Sequence, residues 1–72
     1  MDSKQHMEGL RAAMREDEYY AWTWHCNLAM PMQDEGMSFA AANRAAARIM
    51  KNFFDVDTTK SEFYRDSVKA VF

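Results

Sequence analysis

His25 and Cys26 stand side by side, the one place in the chain where two residues able to ligate a metal, or to pair as base and nucleophile, adjoin. Consecutive residues on a helix project about 100° apart, so these two side chains diverge and cannot grip one tetrahedral ion. A Cys–His pair used for nucleophilic attack needs convergence, usually from separate elements. His6 is the other histidine and lies far away in sequence. The expectation is therefore no metal and no nucleophile, with His25 a partly buried polar residue facing a neighbouring helix. Cys26 is the single cysteine, so no disulfide forms within the chain. Its apolar neighbours point to a buried, reduced thiol and a reducing, cytoplasmic setting. Asp17, Asp34 and Glu35 supply carboxylates, but acid-base work on a glycosidic bond needs two of them flanking a pocket. A domain this small has little volume for one, and they read as solvated turn residues. Neither catalysis nor a cofactor is expected.

Arg44, Arg48 and Lys51 are the polar residues with the most to offer. Their i, i+4, i+7 spacing puts three cations on one helical stripe, able to follow a phosphate backbone or to meet an acidic protein surface. Alternating alanine and arginine is also how an ordinary exposed helix stays soluble. Net charge is −2, too small to mark a nucleic-acid binder, yet it is unevenly spread. Residues 1–36 carry three basic and seven acidic side chains; residues 37–72 carry six basic and four acidic. Two halves of opposite sign can attract within one molecule or head-to-tail between copies.

The elements that must position these residues are helical. Only two glycines and one proline occur in 72 residues, and no stretch alternates apolar with polar in the manner of a strand. The reading is a single all-α domain over residues 1–72, a bundle of three to four helices without a sheet. Ser3 is placed to cap a first helix with apolar positions Met7, Leu10 and Met14. Asp17 is a candidate N-cap for a second, since a straight helix over residues 4–30 would reach roughly 40 Å, too long for a compact monomer of this size. Pro31 should kink or end that helix, with a last turn closed by Gly36. Ser38 then caps a third helix, Phe39 to Phe54, with Ile49 and Phe53 inward, Arg48 outward and many alanines allowing close approach. Thr59 and Glu62 fit a capping box for a last helix whose apolar stripe is Phe63, Tyr64, Val68, Val71 and Phe72. No run of about 18 apolar residues occurs, and nothing apolar follows a basic start, so neither a membrane span nor a signal peptide is expected.

Both tryptophans and two of three tyrosines fall in residues 19–30. At helical spacing Tyr19, Trp22, Cys26 and Met30 form one stripe and Tyr20, Trp24 and Leu28 another. The first is the more continuous and is assigned to the core with Trp22 at its centre; Met7, Met14, Met30 and Met50 are also placed inside. The second, left uncovered, is assigned to a partner, because soluble monomers seldom expose large contiguous apolar patches and aromatic residues anchor interfaces. Met32 or Met37 is expected at an adaptable contact surface.

The stretch Tyr19 to Met30, followed by Asp34-Glu35-Gly36, Ala42-Asn43-Arg44-Ala45-Ala46-Ala47-Arg48 and Asp55-Val56-Asp57-Thr58, resembles short proteins of tailed bacteriophages and prophages, over about residues 17–60. The resemblance implies a non-catalytic protein that acts by binding a host or phage macromolecule, in the host cytoplasm. The combined expectation is a small helical interaction protein that binds a protein partner or itself through Tyr20, Trp24, Leu28, Arg44, Arg48 and Lys51. Two alternatives stay open. One is a nucleic-acid-binding module using Arg44, Arg48 and Lys51; the other is an oligomer holding a small anionic ligand between Trp22 or Trp24 and an arginine.

Overall fold

The computed structural model describes residues 3–71, and side-chain surroundings over residues 3–66. Among the described residues the chain forms four α-helices: α1 (Ser3–Glu16), α2 (Glu18–Asp34), α3 (Phe39–Ile49) and α4 (Glu62–Val71). No strand occurs among the described residues, and no helix there is long and apolar enough to cross a membrane.

Local chemistry sets most of the boundaries. Asp17 alone separates α1 from α2: its backbone is extended (φ −126°, ψ 100°) and its carboxylate accepts the amide of Tyr20. Hydrogen bonds otherwise continue across the junction, from the Asp17 amide to Ala13 and from Ala21 to the Asp17 carbonyl. The break is thus one residue wide. Helix α2 runs on through Pro31. It ends in the paired bonds of a Schellman motif, Met37 N–H to the Met32 carbonyl and Gly36 N–H to that of Gln33. Gly36 holds φ 110°, a value side chains rarely tolerate. The Ser38 hydroxyl accepts the Ala41 amide and starts α3 as expected.

Helix α3 ends differently from its sequence pattern. Residues Met50–Phe54 form a π-helical turn, closed by Asp55 in the left-handed region (φ 57°). Its i→i+5 bonding puts more residues into each turn, so positions beyond Met50 lag behind an α-helical projection. Phe54 thereby takes the inward place and Phe53 is left 60% exposed, which corrects the expected inward Phe53. Ile49 is half-buried and Arg48 exposed.

The cap of α4 also moves. The Thr59 hydroxyl and amide both go to the Asp57 carboxylate, within a 3-10 turn over Thr58–Lys60. Ser61 caps instead, its hydroxyl accepting the Phe63 amide at 3.1 Å, while the Glu18 carboxylate accepts the Glu62 amide at 3.2 Å. The expected reciprocal box between Thr59 and Glu62 does not form, because Asp57 is nearer to hand.

The main helix pair is α2 against α3. Ala29, Ala42 and Ala46 are fully buried there, with Leu28 and Met32 packed beside them. Small side chains at the seam let the backbones approach. A second cluster joins Met14, Ala21, Met50 and Phe54, with Met7, Leu10, Tyr20, Trp24, Leu28 and Val56 packed around it. It ties α1 to the end of α3. Arg11 donates to the Phe53 carbonyl at 2.9 Å, and Arg15 reaches Asp55 at 3.2 Å. Cations at a helix C-terminus meet its negative dipole end. The molecule measures 41 × 25 × 16 Å.

Candidate functional site: a cation-lined groove over a buried histidine

On α2 the buried line is Ala21, His25 and Ala29, four residues apart. It runs between the two aromatic stripes. At about 100° per residue, Tyr20 and Trp24 flank the line on one side and Trp22 on the other. Tyr19, Cys26 and Met30 fall further round. The assignment of stripes is therefore corrected: Tyr19 is 67% and Met30 59% exposed, Cys26 and Trp22 are half-buried. Tyr20, Trp24 and Leu28 are half-buried against the core cluster, with Trp24 5.5 Å from Phe54 between ring centres. The stripe expected to lie open is largely covered within the chain.

His25 has no solvent exposure and joins three elements. Its Nε2 lies 2.9 Å from Asn43 Oδ1, and its Nδ1 lies 2.8 Å from Thr58 Oγ1. Asn43 commits its own amide hydrogen to the Phe39 carbonyl at 2.8 Å, which orients its oxygen toward the ring. Hence Nε2 carries the proton and donates to Asn43, while Nδ1 accepts from the Thr58 hydroxyl. Every polar atom of the trio is satisfied in one tautomer. Trp22 stacks on the imidazole at 4.4 Å, Phe63 stacks on Trp22 at 6.2 Å, and Tyr64 meets both Trp22 and His25 edge-on. Burial pushes the imidazole pKa down from 6.5, against the hydrogen bond it donates to Asn43, which raises it. Burial thus disfavours the charged form of the ring, which serves as a structural pin. The thiol of Cys26 is pushed up from its ordinary value by burial, away from the nucleophilic thiolate.

Above this pin lies a groove of about 410 Å³ between α3 and the segment leading into α4. Arg44, Arg48 and Lys51 line one wall with Ala47 between them; Asp57, Thr59 and Tyr64 line the other. The expected cation stripe is thus one wall of a cleft. Lys51 is already engaged with Asp55 at 3.6 Å. Arg44 and Arg48, both exposed, make no ion pair or hydrogen bond among the described residues. Their guanidinium forks suit carboxylate or phosphate oxygens. Asp57 is held below the ordinary carboxylate range, chiefly by the Thr59 hydroxyl, so the far wall carries a fixed negative charge.

The groove does not bring Tyr20, Trp24 or Leu28 to Arg44, Arg48 and Lys51; the two halves of the expected surface lie apart, since the aromatics pack toward α1 and Phe54. The sequence marks Thr59 only as a helix cap and Tyr64 only as part of an apolar stripe, and no local pattern sets Asp57, Thr59 or Tyr64 opposite the cations: the tie from His25 to Thr58 and Asn43 brings that segment beside α3. No group of three or more His, Cys, Asp or Glu able to hold a metal occurs among the described residues. No protein-family model, curated protein or solved structure matches the chain.

Proposed function

We propose that this is a non-catalytic interaction protein, phage-derived and cytoplasmic, whose working surface is the α3 groove and whose partner is an acidic protein surface. The observation that carries the reading is the pair of arginines, Arg44 and Arg48, that have no ion-pair or hydrogen-bond partner among the described residues and line a preformed cleft. Exposed cations without counterions among the described residues, on a chain of net −2, are available to a partner with no ion pair there to break. The Asp57 charge on the facing wall favours a segment of mixed polarity over a continuous polyanion, which supports protein over nucleic acid. The groove is shallow, and what it offers is charge matching, which governs specificity and association rate.

Calorimetric titration with a synthetic Asp/Glu-rich peptide tests the reading. Wild type should bind in a salt-sensitive manner, and Arg44→Ala/Arg48→Ala should weaken binding at least about tenfold, with Lys4→Ala unaffected. Equal binding by the double variant would remove the groove from consideration. Tighter binding of single-stranded DNA than of peptide, with a steep linear dependence of log affinity on log salt, would transfer the surface to nucleic acid.

A further inference from the structure

Glu62 and Asp66 stand one turn apart on α4, both exposed, and neither side chain forms an ion pair among the described residues. At about 100° per residue they project within roughly 40° of one another and about 160° from Tyr64. Tyr64 packs inward on Trp22 and His25 and lines the groove. The acidic pair therefore sits along the outer crest of the helix that borders the groove. Arg44 and Arg48 repeat the same spacing in cations, and one helical turn is about 6 Å in either case. Lys51 has Asp55 as its counterion and faces Asp57 across the groove, which leaves Arg44 and Arg48 as the two cations for an occupant's carboxylates, and the crest carries two.

Resting on the reading of the groove as an acid-binding surface, we infer that its occupant is α4 of a second copy of this chain, with Glu62 and Asp66 paired to Arg44 and Arg48. Crest and groove adjoin on each molecule. A two-fold axis then lets each copy give its crest and receive the other's, which closes the assembly at two copies. Phe63 and Tyr19, in edge-to-face contact at 5.9 Å and 37% and 67% exposed, lie beside the crest and add apolar area to the charged contact. The ion pairs set register; the aromatic edge supplies burial.

Sedimentation velocity from about 10 μM to 1 mM decides the matter, with two charge-reversed proteins, R44E/R48E and E62K/D66K. Wild type should dimerise at low salt and dissociate as salt rises. Each reversed protein should be monomeric with unchanged helical circular dichroism, and an equimolar mixture should restore a dimer, because both crest-to-groove contacts are complementary again. Should reversal at Glu62 cost helix content, D66K mixed with R48E carries the same test. A wild type that stays monomeric at about 1 mM, or a mixture that fails to associate, overturns the inference. Retained binding of the acidic peptide in that case leaves the groove's role intact and removes only the second copy as its occupant. A dimer that is indifferent to all four charges overturns it as well.

Discussion

A histidine with both nitrogens bonded and no contact with water ties folding to proton concentration. Because burial lowers the His25 pKa below 6.5, the unfolded chain binds the proton more readily than the folded one. Stability is then fully present above about pH 6.5 and is lost as pH falls through that value toward the folded pKa. Urea midpoints measured between about pH 7.5 and 5.5 should fall on acidification; a flat profile would show that His25 is charged or solvated in the folded state. Asp57 acts in a lower window, since its lowered pKa adds stability that is lost only as pH drops below 3.8. The importance of His25 was not legible in the sequence. A histidine between two tryptophan stripes looks like a polar interruption, and its partners Asn43 and Thr58 lie 18 and 33 residues away.

At the scale of elements, the signals that proved readable are those decided within one turn of chain. Asp17, Ser38 and Gly36 act on amides or carbonyls within five residues, so their side chains or conformational freedom suffice to place the boundaries. The core face of α2 is not legible from side-chain area, which favours tryptophan and tyrosine, because close approach of α3 selects Ala29 and the packing of Met14, Met50 and Phe54 selects Ala21. The π turn at Met50–Phe54 has no local signature in the sequence, and it sets Phe54 against Trp24, a contact between distant parts of the chain. Two predictions belong here. Ala46→Leu should cost about 1–3 kcal/mol, since a fully buried alanine at the α2–α3 seam leaves no room for added methylenes. Thermal melting would check it, and an unchanged transition would mean the seam is loose. For α4, Ser61→Ala should destabilise by about 1 kcal/mol through loss of its cap, and more than Thr59→Ala does. The reverse order in denaturant melts would restore the capping box expected from sequence.

The whole molecule is held together at its two ends by different means: alanine contacts and the His25 trio join α2, α3 and the entry to α4, while α1 is docked by Met14, Arg11 and Arg15. All-helical architecture was legible from the scarcity of glycine, proline and strand patterns, because those features act everywhere along the chain. Which surfaces face each other was not, because that depends on how small residues let helices close. The one-residue break at Asp17 has a further consequence. Resetting the two backbone dihedrals of that one residue, φ −126° and ψ 100°, to helical values is all that separates the bent chain from one continuous helix over residues 3–34, roughly 48 Å long at 1.5 Å per residue. A straightened molecule would carry Met14, Arg11 and Arg15 away from their own Phe54 and Asp55 and present them to another molecule's. Asp17→Ala, which removes the cap and favours helix at the junction, should therefore promote reciprocal exchange of the first helix between two chains. Chromatography after refolding at high concentration would reveal a slowly dissociating dimer whose formation survives R44E/R48E. A hinge one residue wide makes the identity of residue 17 a choice between packing against oneself and packing against a neighbour.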